Sequence, residues 1–442
     1  MSRGPVVIGM LGCGTVGSGV LGVLEAHGED IQERLGVPLK VKRVVVKSKD
    51  KPRDVKVEKG VITDDVDALL DDPAIHVVVE LIGGLQPTRD YVLRAIRSGK
   101  HVVTANKALL AAHGVELFEA ARKHGVTIAF EGSVGGGIPV IRSIREGLVA
   151  NRIKKIFGII NGTSNYILTE MTDGGRTFAA ALKEAQAKGY AEADPTLDVG
   201  GGDAAHKVAV LAACAWGVPV DPKEIPTEGI GELETIDIEN ARALGYVVKS
   251  LGVAAAGKSG LALRVQPTFV PQRHVLATVS GAFNAIYIEG DPVGPLLLYG
   301  RGAGAGPTAS AVVGDLLEVG RDLVSGGVGR VPLPFGPAGD KRPPLADPDS
   351  WRSAFYLRFA AYDRPGVLAR IAGALGAQGI SIASVVQKER QHGKAVPILV
   401  LTHDCEERAL RAAVKEIDSA EDLVASRTVV IHVEDFDEAA SR

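Results

Sequence analysis

The stretch that most constrains this chain is Val6 to Gly19, VVIGMLGCGTVGSG, where an apolar run stops in a glycine loop and small residues follow. The pattern predicts a buried strand, a tight turn and a helix opening. Gly12, Gly14 and Gly17 fall at the G-x-G-x-x-G spacing, and each has its own physical task. The first permits the turn, the second lets backbone approach a pyrophosphate, and the third lets helix and strand pack closely. Thr15 and Val16 open the helix, whose first turn offers unpaired N–H groups and the positive end of its dipole to phosphate. In a chain with 54 glycines the spacing alone carries little, and the flanking strand and helix give it weight.

The 442 residues are enough for two or three domains, each with a core of its own. A hydrophobic share of 46% and a charged share of 23% are those of a soluble globular protein. The formal net charge of -3 leaves no electrostatic footprint for nucleic acid or an anionic membrane, so neither partner is expected. Cys13, Cys214 and Cys405 are odd in number and far apart, which argues against a disulfide framework or a zinc cluster and for a reducing, cytoplasmic setting. The longest strongly apolar run, Val208 to Val220, is shorter than the ~20 residues that span a bilayer. Arg3 and the apolar run after it mimic a signal peptide without a small-residue cleavage site.

Val41 to Val46 reads as a second buried strand. In NAD-selective folds an acid at the end of this strand meets the ribose 2′-OH. Here the position holds Lys47, followed by Ser48, Lys49, Asp50, Lys51 and Arg53. That cluster suits the extra phosphate of NADP, which is favoured over NAD, although Asp50 could still reach the ribose and a solvated loop would look the same. Val77 to Leu81 is a third strand, ending at Ile82, Gly83 and Gly84; a helix from about Thr88 to Ser98 and a strand His101 to Thr104 follow. Such alternation makes a Rossmann-type doubly wound sheet, whose ligands gather at the carboxyl ends of strands. Gly83, Thr104 and Lys107 sit at such ends. Lys107 is either a surface lysine or one placed for a ligand, since a cation is disfavoured at a helix start. Thr127 to Glu131 closes this half as a strand, and the glycine run to Ile138 follows. Its carbonyls and the Glu131 carboxylate could hold a hard monovalent cation, or the run is a plain crossover between domains.

From Ile153 the pattern changes to a strand, then a polar turn of Asn161, Gly162, Thr163, Ser164 and Asn165 that caps a helix or donates to a small polar substrate. Lys188, Gly189, Glu192, Asp194, Asp198, Asp203, His206 and Lys207 then lead into a helix, Asp203 to Trp216, that is otherwise almost wholly apolar. A helix so apolar is buried nearly all round, so its polar first turn must open on a cavity or another chain. Asp203 and Lys207, four apart, share one face. The helix dipole and desolvation disfavour the Lys207 ammonium while Asp203 and Glu192 favour it, and a lysine so balanced can deliver a proton. Leu261 to Val270, Val275 to Val279, Ala285 to Glu289 and Leu296 to Leu298 read as strands of an open sheet. A second glycine loop, Gly300 to Pro307, precedes a helix over Thr308 to about Val324 that either returns to the first half or acts as a hinge.

Gly326 to Ser350 has the Pro/Gly composition of a linker. Beyond it, strand Ala354 to Ala361, a helix from Pro365 closed by Gly379, strands Ile380 to Gln387 and Pro397 to Thr402, helix Glu406 to Ile417 and strand Thr428 to Val433 follow. They give the ferredoxin-like β-α-β-β-α-β order.

Ordered blocks now resemble the homoserine dehydrogenase family in its long bacterial form, with a C-terminal ACT domain. They are Gly12 to Gly17, VVVELIGG (77–84), TANK (104–107), EGSVGGGIP (131–139), NGTSNYIL (161–168), GYAEADPTLDVGGGDAAHK (189–207), GAGAGPTAS (302–310) and DRPGVLA (363–369). The resemblance implies a Rossmann-type domain over 1–135, an α+β catalytic and dimerisation domain with an open sheet over 136–306, and a returning helix over 307–330. A linker over 331–350 and a ferredoxin-like ACT domain over 351–442 complete the expected order. It implies reversible reduction of aspartate 4-semialdehyde to homoserine with NADP or NAD, on the route to threonine, isoleucine and methionine. Lys207 matches the family's proton donor, Glu192 and Asp203 its homoserine ligands, and Lys107 the lysine shared by cofactor and substrate. Thr163 and Asp198 join the expected substrate site, and Gly189 and Gly304 match backbone contacts to the cofactor. Glu131, Val134, Gly136 and Ile138 match a sodium site. The ACT resemblance implies an amino-acid effector, with threonine as the end-product candidate, at Asp363, Gly366, Val367, Gly379 and Ile380, in a homodimer or homotetramer. Two rivals stand beside this reading: another two-domain NAD(P)H reductase of amino-acid metabolism, and an ACT-based amino-acid sensor.

Overall fold

The computed structural model describes residues 4–53, 55–58, 60–327, 331, 334, 342–387 and 394–436. Its first half is a six-stranded parallel sheet of β1 (Val6–Leu11), β2 (Leu39–Val45), β3 (Ile62–Thr63), β4 (Val77–Glu80), β5 (His101–Thr104) and β6 (Ile128–Ala129). The strand order is β3-β2-β1-β4-β5-β6, the doubly wound order whose switch point lies between β1 and β4. Ile8, Met10, Val77, Val78 and Val79 are fully buried because helices cover both faces. Those helices are α1 (Thr15–Ala26), α2 (Gly28–Leu35), α3 (Asp67–Leu70), α4 (Thr88–Arg97) and α5 (Lys107–His124). The expected strand over 127–131 is shorter than the sequence suggests: after β6 the chain turns at once into a 3-10 turn, Glu131–Ser133.

The second half runs through α6 (Val140–Arg142), β7 (Arg152–Ile159), α7 (Gly162–Gly174), α8 (Phe178–Ala187), α9 (Thr196–Val199), α10 (Gly202–Trp216) and α11 (Thr235–Ala243). It continues in β8 (Tyr246–Gly257), β9 (Gly260–Pro271), β10 (Phe283–Asp291) and β11 (Gly294–Arg301), then returns along α12 (Ala305–Ser325). α10 is buried along ten of its residues, as its composition requires. α12 does return to the first sheet: Val312, Leu316 and Val319 join the core around Ile8, Val77 and Val103. Gly19 makes that packing possible, since a Cβ there would lie 2.7 Å from the Ala305 carbonyl.

Two readings of this region change. Val275–Thr278 is a 3-10 turn rather than a strand, opened by His274, whose Nδ1 accepts from the Leu276 N–H at 3.3 Å. β8 is a twelve-residue strand with little signal in the sequence. Its alanines, glycines and lysine weaken the β signal, and pairing with β7 and β9 supplies what propensity lacks.

The tail comprises β12 (Arg352–Tyr362), α13 (Val367–Ala377), β13 (Ile382–Val386), β14 (Ala395–Thr402), β15 (Cys405–Glu406), α14 (Glu407–Asp418) and β16 (Val429–Val433). The two sheets of the second half and the tail are one: the order β11-β10-β7-β8-β9-β16-β12-β14-β13 is continuous, β16 joining β9 through His432↔Thr268 and Val433↔Phe269. Part of the linker expected over 331–350 lies outside the described residues, but its last part is no free tether. The Leu261 N–H donates to the Pro344 carbonyl at 2.7 Å and the Ala346 N–H to the Leu261 carbonyl at 3.0 Å.

Candidate active site

Between the two halves lies a cleft of about 690 Å³. Val16, Lys107, Gly136, Thr163, Gly189, Glu192, Asp198, Asp203, Lys207 and Gly304 line it, so ten residues singled out from sequence face one space.

The centre of the cleft is built on α10. Lys207 is 9% exposed, and its Nζ donates to Asp203 Oδ2 at 2.7 Å and to the Ile160 carbonyl at 2.6 Å. Asp203 Oδ1 lies 3.1 Å from Lys107 Nζ, which reaches across from the first turn of α5. Burial alone would raise the Asp203 carboxyl, but the charges of Lys207 and then Lys107 hold it well below the usual carboxylate range. The helix starts at Gly201, in the left-handed region at φ 84°, where a Cβ would press within 2.8 Å of Thr227.

Asn161 organises the other wall. Its side-chain carbonyl caps α7 by accepting from the Ser164 N–H at 2.8 Å, while its amide donates to Asp198 Oδ1 at 2.7 Å and to Asp203 Oδ2 at 2.9 Å. The capping role expected from the sequence is thus filled by one end of the side chain, while the other end donates to two carboxylates of the cleft. Thr163 donates from its hydroxyl to the Tyr190 carbonyl at 2.5 Å, which fixes the 188–192 turn against α7. Glu192 is exposed at the cleft rim and forms an ion pair with neither Lys207 nor Lys107; of the two acids expected beside Lys207, Asp203 is the one that bonds it.

The glycine loops form the floor. Gly12 takes φ 102° with a would-be Cβ 2.7 Å from the Leu81 carbonyl, and Gly17 allows α1 within 2.7 Å of the Gly12 carbonyl. A Cβ on Gly14 would meet nothing within 4 Å, and no side chain caps α1, so its first N–H groups stay available; Thr15 is exposed beside them. Gly136, at φ 56°, packs with a would-be Cβ 2.5 Å from Gly302 backbone, and the Gly137 N–H donates to the Arg301 carbonyl at 3.2 Å. The two loops therefore fit backbone to backbone. Buried Glu80 ties the ends of β4 and β5 together: it accepts from the Ile82 and Gly83 N–H groups at 2.8 and 3.0 Å and from the Thr104 hydroxyl at 2.6 Å. Thr104 is buried, and its oxygen in turn accepts from the Asn106 N–H, so the threonine positions the start of α5.

Glu131 is 4% exposed; its carboxylate accepts from the Ile141 and Arg142 N–H groups at 2.8 Å, and burial pushes the carboxyl upward. Val134 and Ile138 are also buried, and Asp315 of α12 accepts the Glu131 N–H at 2.8 Å. Lys47 is exposed past β2. Of its neighbours, Lys49 pairs with Asp64 and Arg53 donates to the Ser48, Lys49 and Lys51 carbonyls. Asp363, Gly366, Gly379 and Ile380 lie on the two turns flanking α13, and Val367 is its first residue. Gly366 and Gly379 take positive φ, and Val367 and Ile380 sit in the ACT core. Residues that the sequence analysis left out of the site also line the cleft: Ser133, Asn284, Arg301 and Thr308. Ser133, Arg301 and Thr308 lie in or beside the two glycine loops, which is a local signal; Asn284 has none.

Three family models match the chain: "Homoserine dehydrogenase, NAD binding domain" over residues 12–131, "Homoserine dehydrogenase" over 139–317 and "ACT domain" over 355–422. The chain is 48% identical over 432 residues to the homoserine dehydrogenase of Pseudomonas aeruginosa, an alignment that spans 97% of this chain and 99% of that one. The crystal structure of a homoserine dehydrogenase from Thiobacillus denitrificans matches with a TM-score of 0.92 at 47% identity, covering 98% of this chain and 99% of that one. A hyperthermophilic archaeal homoserine dehydrogenase in complex with NADPH matches with a TM-score of 0.60 at 27% identity, over 71% of this chain and 97% of that one.

Proposed function

The chain belongs to the homoserine dehydrogenase family, and on that premise we infer that its cleft reduces aspartate 4-semialdehyde reversibly to homoserine, with Lys207 as the proton donor. The enzyme is an NAD(P)-dependent oxidoreductase acting on a CH–OH group. The loop at Gly12–Gly17 suits the pyrophosphate of a dinucleotide, because Gly14 leaves open space and the first turn of α1 is not capped by a side chain. When bound, the nicotinamide supplies the hydride for the aldehyde carbon. Lys207 gives its proton to the carbonyl oxygen as negative charge develops there, and Asp203 and the Ile160 carbonyl hold the amine in line. Asp203 and Glu192 hold the substrate's hydroxyl and ammonium, Thr163 and Asp198 shape the same wall, and Lys107 serves cofactor and substrate together.

The observation that carries this reading is the buried Lys207 amine, bonded at 2.6 and 2.7 Å and facing the same cleft as Val16 and Gly304. Lys207→Ala tests it: turnover should fall by roughly 10²- to 10⁴-fold while titration of cofactor fluorescence shows undiminished binding. A variant that keeps most of its turnover would remove Lys207 from the role.

NADP is the preferred cofactor, because Lys47 and Lys51 follow β2 where an acid would serve NAD. The sodium reading rests on the resemblance and on the residue types: Glu131 is a buried carboxylate, and Gly135 and Gly136 take positive φ in the run that follows it, where main-chain carbonyls would supply further oxygen donors. Val134, Gly136 and Ile138 would join Glu131 in holding it. The ACT domain gives allosteric regulation by a small molecule, for which threonine is the candidate. A homodimer or homotetramer fits the apolar Leu297 and Tyr299 exposed on edge strand β11. Among the described residues no helix is long and apolar enough to cross a membrane, and a cytoplasmic setting is proposed.

A further inference from the structure

Of the charged groups that face the cleft, Glu192 is held differently from the rest. Asp198 accepts from Asn161, Asp203 from Asn161 and Lys207, and Lys107 pairs with Asp203. Glu192 is exposed, and among the described residues no hydrogen bond or ion pair fixes its carboxylate. The place of that carboxylate is therefore inherited from the backbone of residues 188–193.

This segment leaves the end of α8 and turns at Gly189, whose φ of 74° lies in the left-handed region. Its first half is anchored to the helices beneath it. The Tyr190 N–H donates to the Ala185 carbonyl at 2.8 Å, the Thr163 hydroxyl donates to the Tyr190 carbonyl at 2.5 Å, and Ala191 is buried in the core around Tyr166. The second half, which carries Glu192, is tied back to α8 by one side chain. Gln186 Nε2 donates to the Glu192 carbonyl at 3.1 Å and reaches the Ala193 carbonyl at 3.5 Å.

The end of α8 is itself well held. Lys188 Nζ lies 2.8 Å from Glu184 Oε1 and donates to the Tyr166 hydroxyl at 2.8 Å, and Tyr166 belongs to α7, the helix that Asn161 caps. Gln186 thus closes the segment from a fixed point, while its own side chain stays outside the cleft. Its bonds are exposed to water and add little to global stability, but a small displacement of a substrate-binding group is costly.

We propose that Gln186 is a positioning residue: by closing the 186–193 segment on the Glu192 carbonyl it aims the Glu192 carboxylate at the substrate's α-ammonium. It thereby sets how strongly the site prefers an amino-acid alcohol to the same alcohol without the amine. The proposal rests on the reading that Glu192 holds that ammonium.

Full-length Gln186→Met, which keeps the side-chain length and loses the donor, is compared with Glu192→Ala and with the double variant. For each, the KM for L-homoserine and the inhibition constant of 4-hydroxybutyrate, which lacks the amine, are measured at saturating cofactor. Gln186→Met should raise the KM for homoserine by roughly tenfold and move the 4-hydroxybutyrate constant by less than about twofold. Glu192→Ala should show the same split, and adding Gln186→Met to it should cost nothing more, because the two act as one unit. If Glu192→Ala shows the split and Gln186→Met does not, the positioning role is overturned and the Glu192 assignment stands. An equal loss for both compounds, or a loss that persists in the Glu192→Ala background, makes Gln186 a general support of the fold and overturns the proposal as well. No split in Glu192→Ala removes the ammonium assignment, and the proposal falls with it.

Discussion

Lys107 of the dinucleotide half and Asp203 of the catalytic half meet at 3.1 Å across the cleft. Asp203 thus lies between two ammonium groups, one from each half, with Asn161 donating to the same oxygen as Lys207. A substrate entering here need not create the electrostatic frame, only exchange partners within it. Preorganised charge of this kind stabilises a developing alkoxide without reorganisation at the moment of reaction.

Asn161 is a positioning residue, since its amide holds Asp198 and Asp203 in register. Asn161→Ala should lower kcat/KM by up to roughly 100-fold, through kcat as well as KM, because small displacements at a reacting centre are costly. Asn161→Asp keeps the volume but sets a third carboxylate beside two others, so the acid limb of its pH–rate profile should move to higher pH. A profile identical to that of the parent enzyme would assign Asn161 to capping alone.

Lys249, 3% exposed on β8, donates to the Val279 carbonyl at 2.6 Å, and burial pushes its amine down to about 8. An unfolded lysine titrates near 10.4. Between these values the unfolded chain keeps a proton that the folded chain has released, so stability rises with pH across that window and the full burial cost applies below it. Denaturant melts at pH 8 and pH 10.4 should show the difference between parent and Lys249→Met shifting toward the parent by roughly 2 kcal/mol. A flat difference would mean the amine is not held neutral.

Arg358 of β12 grips Asp237 of α11 with two bonds, at 2.7 and 3.0 Å, and Tyr356 donates to the same carboxylate at 3.2 Å. Asp237 is fully buried, so Arg358→Ala strands a charge and should cost about 3 to 5 kcal/mol by chemical denaturation. Because Arg358 lies outside the cleft, turnover of the remaining folded enzyme should be preserved. Measuring both on one preparation separates a lost anchor from a damaged site.

Gly12→Ala should weaken cofactor binding and lower stability by about 1 to 3 kcal/mol, since φ 102° is strained for alanine and its Cβ would press on the Leu81 carbonyl. Gly14→Ala meets open space in the protein, so its effect should appear only when the dinucleotide is titrated.

The parts legible in the sequence are those written in local spacing. The loop at Gly12–Gly17, the doubly wound order and the pairing of Asp203 with Lys207 on α10 follow from periodicity and i,i+4 geometry. Asn161 was visible as a polar turn residue, but its two carboxylate partners come from α9 and α10, which only the folded chain brings together. β8 escaped notice because alanine, glycine and a buried lysine do not look like a strand until two neighbours pair with it. Val275–Thr278 failed in the opposite sense: apolar and β-branched, it has the composition of a strand, yet a histidine cap winds it into a turn.

The union of β16 with β9 makes the regulatory tail a continuation of the catalytic slab rather than a bead on a string. Cutting the chain near Ser350 would strip β9 of its neighbour and leave a raw rim of amide and carbonyl groups, the kind of surface along which sheets stick to one another. A shortened enzyme that clumps or loses activity would then report the exposed rim as much as any missing effector. Dissection of this molecule is cleaner by single side chains than by scissors.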